Sequence, residues 1–195
     1  MTDQRLYQIG LTMVEGVGDI LARQLLETFG DAESIFHLSR AALAKVPGIG
    51  STLIAHLQDP EVLRRAEKEL RFIEDNRIYL YYIGDPNYPA RLRECADAPV
   101  LFYFKGETDL NAAYVLSIVG TRHATPYGME QTEQLLAELA PRYPDLLVVS
   151  GLAYGIDICA HRAAVRHGLP TVAVLAHGLV RIYPAIHRQT AVEML

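Results

Sequence analysis

The sequence predicts an α/β protein, with a small helical domain at the N-terminus followed by a doubly wound parallel sheet. Three observations carry that expectation. Residues 1–57 are helical in pattern and punctuated by two Gly-x-Gly turns. Residues 59–77 spell one amphipathic helix. From residue 115 onward, short apolar runs alternate with helical segments, the order that right-handed crossovers impose on a parallel sheet. The domain boundary is expected between 57 and 78, giving a helical domain over 1–77 and a sheet domain over 78–195.

In the helical part, VEGVGDILARQLLETFG (14–30) and KVPGIGSTLIAHL (45–57) share one form: an apolar residue, Gly-x-Gly, then an amphipathic helix. Gly16 and Gly48 lie 32 positions apart, which reads as a doubled unit. Ser34 and Ser39 can cap short helices between the two copies. In DPEVLRRAEKELRFIEDNR (59–77), Asp59 is a good N-cap and Pro60 suits the first helical position. Leu63, Ala66, Leu70 and Ile73 share one face at helical spacing. The Arg and Glu residues opposite them read as a solvated surface.

Two apolar stretches follow, IYLYYI (78–83) as a buried strand and VLFYFKG (100–106) as a second strand, joined by a Pro-rich connection. Tyr79, Tyr81 and Tyr82 could stack on bases, but in an apolar strand they read as core and sheet-face residues. The alternating part then predicts strand 115–119, helix 126–140, strand 146–150, helix 155–167, strand 172–176 and a last helix starting near 187.

Half of the residues are hydrophobic and 21% are charged, as in an ordinary globular protein. The net charge of −5 is uneven: residues 1–111 hold 12 Lys+Arg against 17 Asp+Glu, whereas residues 112–195 hold six of each. Mild acidity argues against indiscriminate binding to duplex DNA, which needs a broad basic face, but leaves room for a local basic groove. Cys95 and Cys159 match no metal spacing. With no signal-peptide pattern, the expectation is two reduced thiols in a cytoplasmic protein. No apolar run approaches the roughly 20 residues of a membrane span.

A doubly wound sheet binds ligands in the crevice beyond the carboxyl ends of its strands. Three such ends are legible: GTRH (120–123), SGLAYGID (150–157) and AHGLVRIYP (176–184). Each carries glycine at the turn, which lets backbone N–H groups approach a ligand. The helix after Gly155 would point its positive end into the same crevice. Arg122, Arg162, Arg181 and Arg188 lie on these elements or just beyond, a basic pocket suited to an anion. Asp157 and His161, four apart on one helix, read either as an acid–base pair or as a helix-end carboxylate and an internally bonded imidazole. No nucleophile or third ligand completes a catalytic or metal site, Ser150 lacks the G-x-S-x-G elbow, and the remaining His residues fit no zinc spacing. VPGIG (46–50) at a helix start is similar to the hairpin of a helix-hairpin-helix element, whose amides can hold a DNA phosphate. It reads equally as a helix–helix packing turn.

IVGTRHATPYG, followed by SGLAYGIDICAHRAAVRHGLPTVAVLAHGLVRIYP, resembles the DNA-processing protein DprA (Smf) family over roughly residues 112–190, in order and spacing. The glycine-turn repeats also suit that family's SAM-like or helix-hairpin-helix domain. The resemblance implies a Rossmann-like core that binds single-stranded DNA, delivers it to the recombinase RecA in natural transformation, and is not an enzyme. It implies no cofactor, and it implies a possible homodimer in the full-length chain. Gly120, Thr121 and Arg122 match the family's Gly-Ser/Thr-Arg phosphate turn. Gly151, Gly155, Ile156, Asp157 and His161 match the second glycine motif, and Gly178, Tyr183 and Pro184 the third. The DNA-binding residues expected are Gly120, Thr121, Arg122, Ser150, Gly151, Gly155, Arg162 and Arg181, with Tyr127 and Tyr154 as stacking candidates. The third motif departs from the usual Tyr-Pro-x-x-Asn, because Ala185 follows Pro184 and His187 takes the Asn place. The family core also continues through an Arg-Asn-Arg segment and further strands, so this chain is expected to be a fragment with an incomplete sheet. The alternative function is a nucleotide-binding hydrolase of a related Rossmann-like family, with Asp157 and His161 as its chemistry.

Overall fold

The computed structural model describes residues 3–195. The chain forms two compact units that divide between Phe104 and Lys105, whereas the pattern of the sequence places the division at 77/78. The difference lies in two short strands that stay with the helical part.

The first unit runs through α1 (Gln4–Met13), α2 (Asp19–Phe29), α3 (Ala32–Phe36), α4 (Arg40–Leu43), α5 (Ser51–Leu57), α6 (Pro60–Asp75), β1 (Tyr79–Tyr82), α7 (Ala90–Arg93) and β2 (Leu101–Phe104). The doubled glycine turn is visible in the backbone angles. Gly16 and Gly48 have φ of +87° and +86°, values a side chain opposes. Gly18 and Gly50 then cap α2 and α5 in matching extended conformations. His56 Nδ1 meets the Glu15 carbonyl at 3.0 Å, tying the end of the second copy to the turn of the first. Leu11, Leu25, Ile35, Leu43 and Leu57 form the core between them.

Helix α6 lies along α1 and buries Val62, Ala66 and Ile73, with Leu63 and Leu70 partly buried. Asp59 caps it, accepting from the Glu61 amide at 2.9 Å. Asp59→Ala removes that acceptor and is expected to cost about 1 kcal/mol. Amides of the first turn of α6 should then exchange about fivefold faster in a hydrogen-exchange experiment, and unchanged rates would refute the cap's contribution. The cap of α3 differs from expectation. Asp31 caps it, with the Ser34 amide and hydroxyl both donating to the Asp31 carboxylate. Asp at the N-cap position reaches the third amide directly, so Ser34 serves as donor. Ser39 caps α4 as expected.

β1 and β2 pair antiparallel, Tyr79 opposite Phe104 and Tyr82 opposite Leu101. They form a separate two-stranded sheet. Tyr81 stacks on Phe102 with ring centroids 5.1 Å apart, and Tyr82 is buried, while Tyr79 is exposed. β1 is therefore a half-exposed strand rather than a buried one. Burial rises along it from exposed Tyr79 through half-buried Leu80 and Tyr81 to buried Tyr82.

The second unit contains β3 (Val115–Ser117), α8 (Pro126–Leu139), β4 (Leu147–Ser150), α9 (Ile156–Arg166), β5 (Thr171–Ala173), a 3-10 turn at Ala185–His187 and α10 (Arg188–Glu193). The three strands are parallel in the order β3-β4-β5, a Rossmann-like arrangement in which each crossover carries a helix. Thr125 caps α8, accepting from the Gly128 amide at 3.1 Å, and Pro126 starts it. α8 packs on α9, and α9 packs on β4 and β5. Ala160, Ala163 and Ala164 are buried there against Leu136 and Val148, small side chains that let the helix approach closely. The carboxyl ends of the strands fall together at Ser117, Ser150 and Ala173, and the chain leaves the sheet soon after each.

Candidate functional site

Three loops leave the strand ends of the second unit, and the structure joins them. The first, after β3, contains Gly120, Thr121 and Arg122. The second, Gly151 to Gly155, joins β4 to α9. The third follows β5 and ends at the Ala185–His187 turn. The Ile156 amide donates to the Thr121 carbonyl at 3.2 Å, which locks the first loop onto the second. The approach is so close that a Cβ on Gly155 would lie 2.0 Å from the Thr121 carbonyl oxygen. A Cβ on Gly120 would lie 2.6 Å from Ile156. Gly155 is demanded by backbone approach and by its φ of +79°, and Gly120 by the branched side chain of Ile156 packed against it. The third loop reaches the second where His187 Nδ1 bonds the Leu152 carbonyl at 2.8 Å.

Leu152 has φ of +60°, a left-handed conformation that costs a non-glycine residue about 1–2 kcal/mol. Together with Gly155 it bends the loop into a succession of turns. Among the described residues, the amides of Leu152, Ala153 and Tyr154 find no acceptor. Backbone amides gathered in such a turn form an anion-binding concavity.

The helix end contributes less than the sequence leads one to expect. Two of the leading amides of α9 are satisfied within the chain, Ile156 by Thr121 and Ile158 by the Ala153 carbonyl at 3.2 Å. Asp157 also places a buried carboxylate in the first turn, which offsets the helix dipole. The donors left open at these strand ends are therefore the loop amides and the Arg122 guanidinium.

Arg122 is exposed, and among the described residues no carboxylate pairs with it. Thr121 accepts the His123 amide on its hydroxyl at 3.2 Å, an internal bond that shapes the turn carrying Arg122. Arg181 is exposed on the third loop. Ser150 is buried, and its hydroxyl donates to the Ile118 carbonyl at 2.7 Å. It ties β4 to β3 and spends its donor there. Arg162 is exposed, but its Nε reaches Thr190 Oγ1 at 3.3 Å. It sits six residues into α9, about 9 Å along the axis from the strand-end loops. Its guanidinium is thus directed toward α10, because the helix turns it away from the loop face.

Aromatic and apolar side chains surround the loops. Val119, Tyr127, Tyr154 and Tyr183 are 82%, 70%, 47% and 68% exposed. Exposed rings beside an anion site are what stacking on nucleobases needs. Leu152 and His187 lie outside the residues expected from the sequence. No spacing marks a leucine as left-handed, and the buried bond of His187 spans 35 positions of chain.

Asp157 and His161 are both buried. Thr171 donates its hydroxyl to the Val148 carbonyl at 2.9 Å, so it accepts from His161 Nδ1–H at 2.8 Å. That leaves Nε2 as a bare acceptor, and neither it nor Asp157 Oδ1 has a partner among the described residues. Burial pushes the His161 imidazole down from 6.5 to about 4, with the nearby Asp157 carboxylate opposing and His187 adding to the shift. The ring is neutral at physiological pH. Between pH 6.5 and about 4, the unfolded chain takes up a proton that the folded ring refuses. Stability of the second unit is therefore expected to fall with pH through that window, by about 3 kcal/mol in total. Urea midpoints measured from pH 7 to 4 on the parent and on His161→Gln test this. The variant should lose part of the pH dependence, and identical dependence in both would refute it. Among the described residues, no three His, Cys, Asp or Glu side chains gather as a metal-binding set. No helix of the described residues is long and apolar enough to cross a membrane.

The fold and the site together define a class: a Rossmann-like unit whose strand-end loops carry open amides and exposed arginines, on a chain that also holds a helix-hairpin-helix tandem. Residues 79–195 match the DNA recombination-mediator protein A family, and the chain belongs to that family. Residues 9–57 match the SAM-like helix-hairpin-helix tandem, in agreement with the doubled glycine turn. Protein Smf of Synechocystis sp. is 31% identical over 193 residues, 95% of this chain and 47% of that protein. DNA processing protein DprA of Streptococcus pneumoniae is 38% identical over 109 residues, 56% of this chain and 38% of that protein. The X-ray structure of DNA processing protein A from Streptococcus pneumoniae aligns with a TM-score of 0.69 at 26% identity, covering 98% of this chain and 64% of that one. DNA processing protein A from Helicobacter pylori, which has a single-stranded DNA binding mode, aligns with a TM-score of 0.52 at 29% identity, covering 60% of this chain and 51% of that one. The chain spans about half the length, or less, of these curated relatives.

Proposed function

We propose that the strand-end groove of the second unit binds the phosphate backbone of single-stranded DNA. The observation that carries this reading is the joining of the Gly120–Arg122 turn to the Gly151–Gly155 loop, with open amides on one and an unpaired arginine on the other. Membership of a recombination-mediator family and the single-stranded DNA binding of the Helicobacter pylori relative support it. In this reading Arg122 makes the charge-assisted contact, the amides within Gly151–Gly155 hold a phosphate oxygen, and Arg181 adds charge from the third loop. Gly120 and Gly155 permit the close approach, while Thr121 and Ser150 hold the loops in place. Arg162 acts at longer range. Tyr127 and Tyr154 are the rings on which bases stack, and this favours single strands over duplex, whose bases are already stacked.

The chain acts as a binding module rather than an enzyme. Burial of Asp157 and His161, with the Nδ1–H of His161 given to Thr171, supports a structural part for both. In the whole protein the bound strand is protected and handed to the recombinase RecA during natural transformation, in the cytoplasm, with self-association of the full-length chain.

Fluorescence anisotropy of a labelled oligonucleotide, single-stranded and duplex, over a range of salt tests the binding. Tighter single-strand binding that weakens with salt is expected, with a slope of about 0.7 per phosphate engaged. Equal affinity for duplex, or turnover of a mononucleotide, would overturn it. The RecA step is tested by RecA filament formation on strands coated with single-strand binding protein, in the presence and absence of the full-length protein.

A further inference from the structure

His187 lies where the third loop meets α10, with its side chain buried. Its Nδ1–H donates to the Leu152 carbonyl at 2.8 Å. Its ring meets that of Tyr154 edge-on, with centroids 5.1 Å apart. One side chain of the third loop therefore grips two residues of the second, on either side of Ala153.

We infer that His187 is a positioning residue of the groove, holding the Gly151–Gly155 loop so that its amides face the bound strand. This rests on the reading above that the groove holds a DNA backbone. The peptide linking Leu152 to Ala153 is planar and trans, so its N–H points opposite to its C=O. Fixing the Leu152 carbonyl on a buried imidazole therefore aims the Ala153 N–H away from the interior. That amide has no acceptor among the described residues. Leu152 is held at φ +60°, a conformation that persists only where surrounding contacts impose it, and the His187 bond is such a contact. The Tyr154 ring rests on the same imidazole, so the stacking ring and the loop amides share one support. His187 is itself too buried to touch a strand and contributes no phosphate contact.

The test uses this chain with His187→Ala and His187→Asn. Asparagine carries its Nδ2–H the same two bonds beyond Cβ as the Nδ1–H of histidine. His187→Ala is expected to weaken single-stranded DNA binding on the order of tenfold, with the salt slope unchanged, and to speed hydrogen exchange at the Ile156 and Ile158 amides. His187→Asn should restore both. The Val148 amide, bonded to the Pro170 carbonyl in the sheet, should stay protected throughout and so report that the unit is folded. Unchanged exchange at Ile156 and Ile158 in His187→Ala would overturn the inference. So would a His187→Asn variant as impaired as His187→Ala. Failure of the parent to bind the strand would count against the DNA reading alone, because the exchange comparison still decides whether His187 orders the loop.

Discussion

Arg122→Ala is expected to weaken single-stranded DNA binding by about 1.5–3 kcal/mol, roughly ten- to 150-fold in Kd. Three features set that size. Arg122 follows Gly120 and Thr121 at the end of β3, on a turn pinned by the bond from the Ile156 amide to Thr121. Its guanidinium is solvent-exposed, with no carboxylate partner among the described residues, so no internal ion pair has to break on binding. A hydrogen bond from its guanidinium to a phosphate would be charge-assisted, about twice as strong as a neutral one. Removing one phosphate interaction should also lower the salt slope by about 0.7. An exposed arginine outside the core contributes little to folding, so the melting temperature should hold. Anisotropy titrations at three or more salt concentrations measure both effects. Arg142→Ala, past the far end of α8, serves as the comparison that should leave binding unchanged. Equal weakening in the two variants would point to general electrostatics and remove Arg122 from the groove.

Gly155→Ala is expected to unmake the site and destabilise the second unit by at least about 3 kcal/mol. The added Cβ would lie 2.0 Å from the Thr121 carbonyl oxygen and 2.7 Å from the Arg122 carbonyl carbon. Both are backbone atoms, so no rotamer change relieves the overlap. The residue also holds φ at +79°, which alanine opposes. To make room, the first loop must leave the second, and the bond between Ile156 and Thr121 goes with it. Exchange measured by mass spectrometry on peptides covering 146–173 should accelerate more than a hundredfold, and single-strand binding should be abolished. Gly178→Ala offers a contrast, because nothing lies within 4 Å of its Cβ position and its φ is unexceptional. Parent-like exchange in Gly155→Ala would mean that the loops do not meet as described.

Both expectations begin with residues visible in the chain, yet their force comes from different places. The Asp59–Pro60 start of α6, the Gly16 and Gly48 turns and the Ser39 cap are decided within three or four residues, so spacing alone reveals them. The alternation after residue 115 is legible for the same reason: an apolar run of three to five residues and an amphipathic helix are local patterns. Glycine at each strand end marks the groove before its geometry is known.

Other features depend on residues far apart in the chain. β1 and β2 read as strands, but pairing with each other in the first unit is a matter of which surfaces they cover. Arg162 reads as a member of the pocket until the pitch of α9 directs it toward Thr190. The helix end reads as an anion site until the Thr121 carbonyl occupies the Ile156 amide. Ser150 reads as one of the DNA-binding residues, and the structure shows its hydroxyl given to Ile118. His187 reads as a departure in a motif until its imidazole reaches Leu152. The sequence by itself determined the alternation of strands and helices after residue 115, the two glycine turns and the Asp59 and Ser39 caps, because these follow from local backbone preference and periodicity. Only the tertiary structure decided which donors and acceptors were already spent, because a hydrogen bond between segments 28 to 35 positions apart exists only once packing has closed the chain between them.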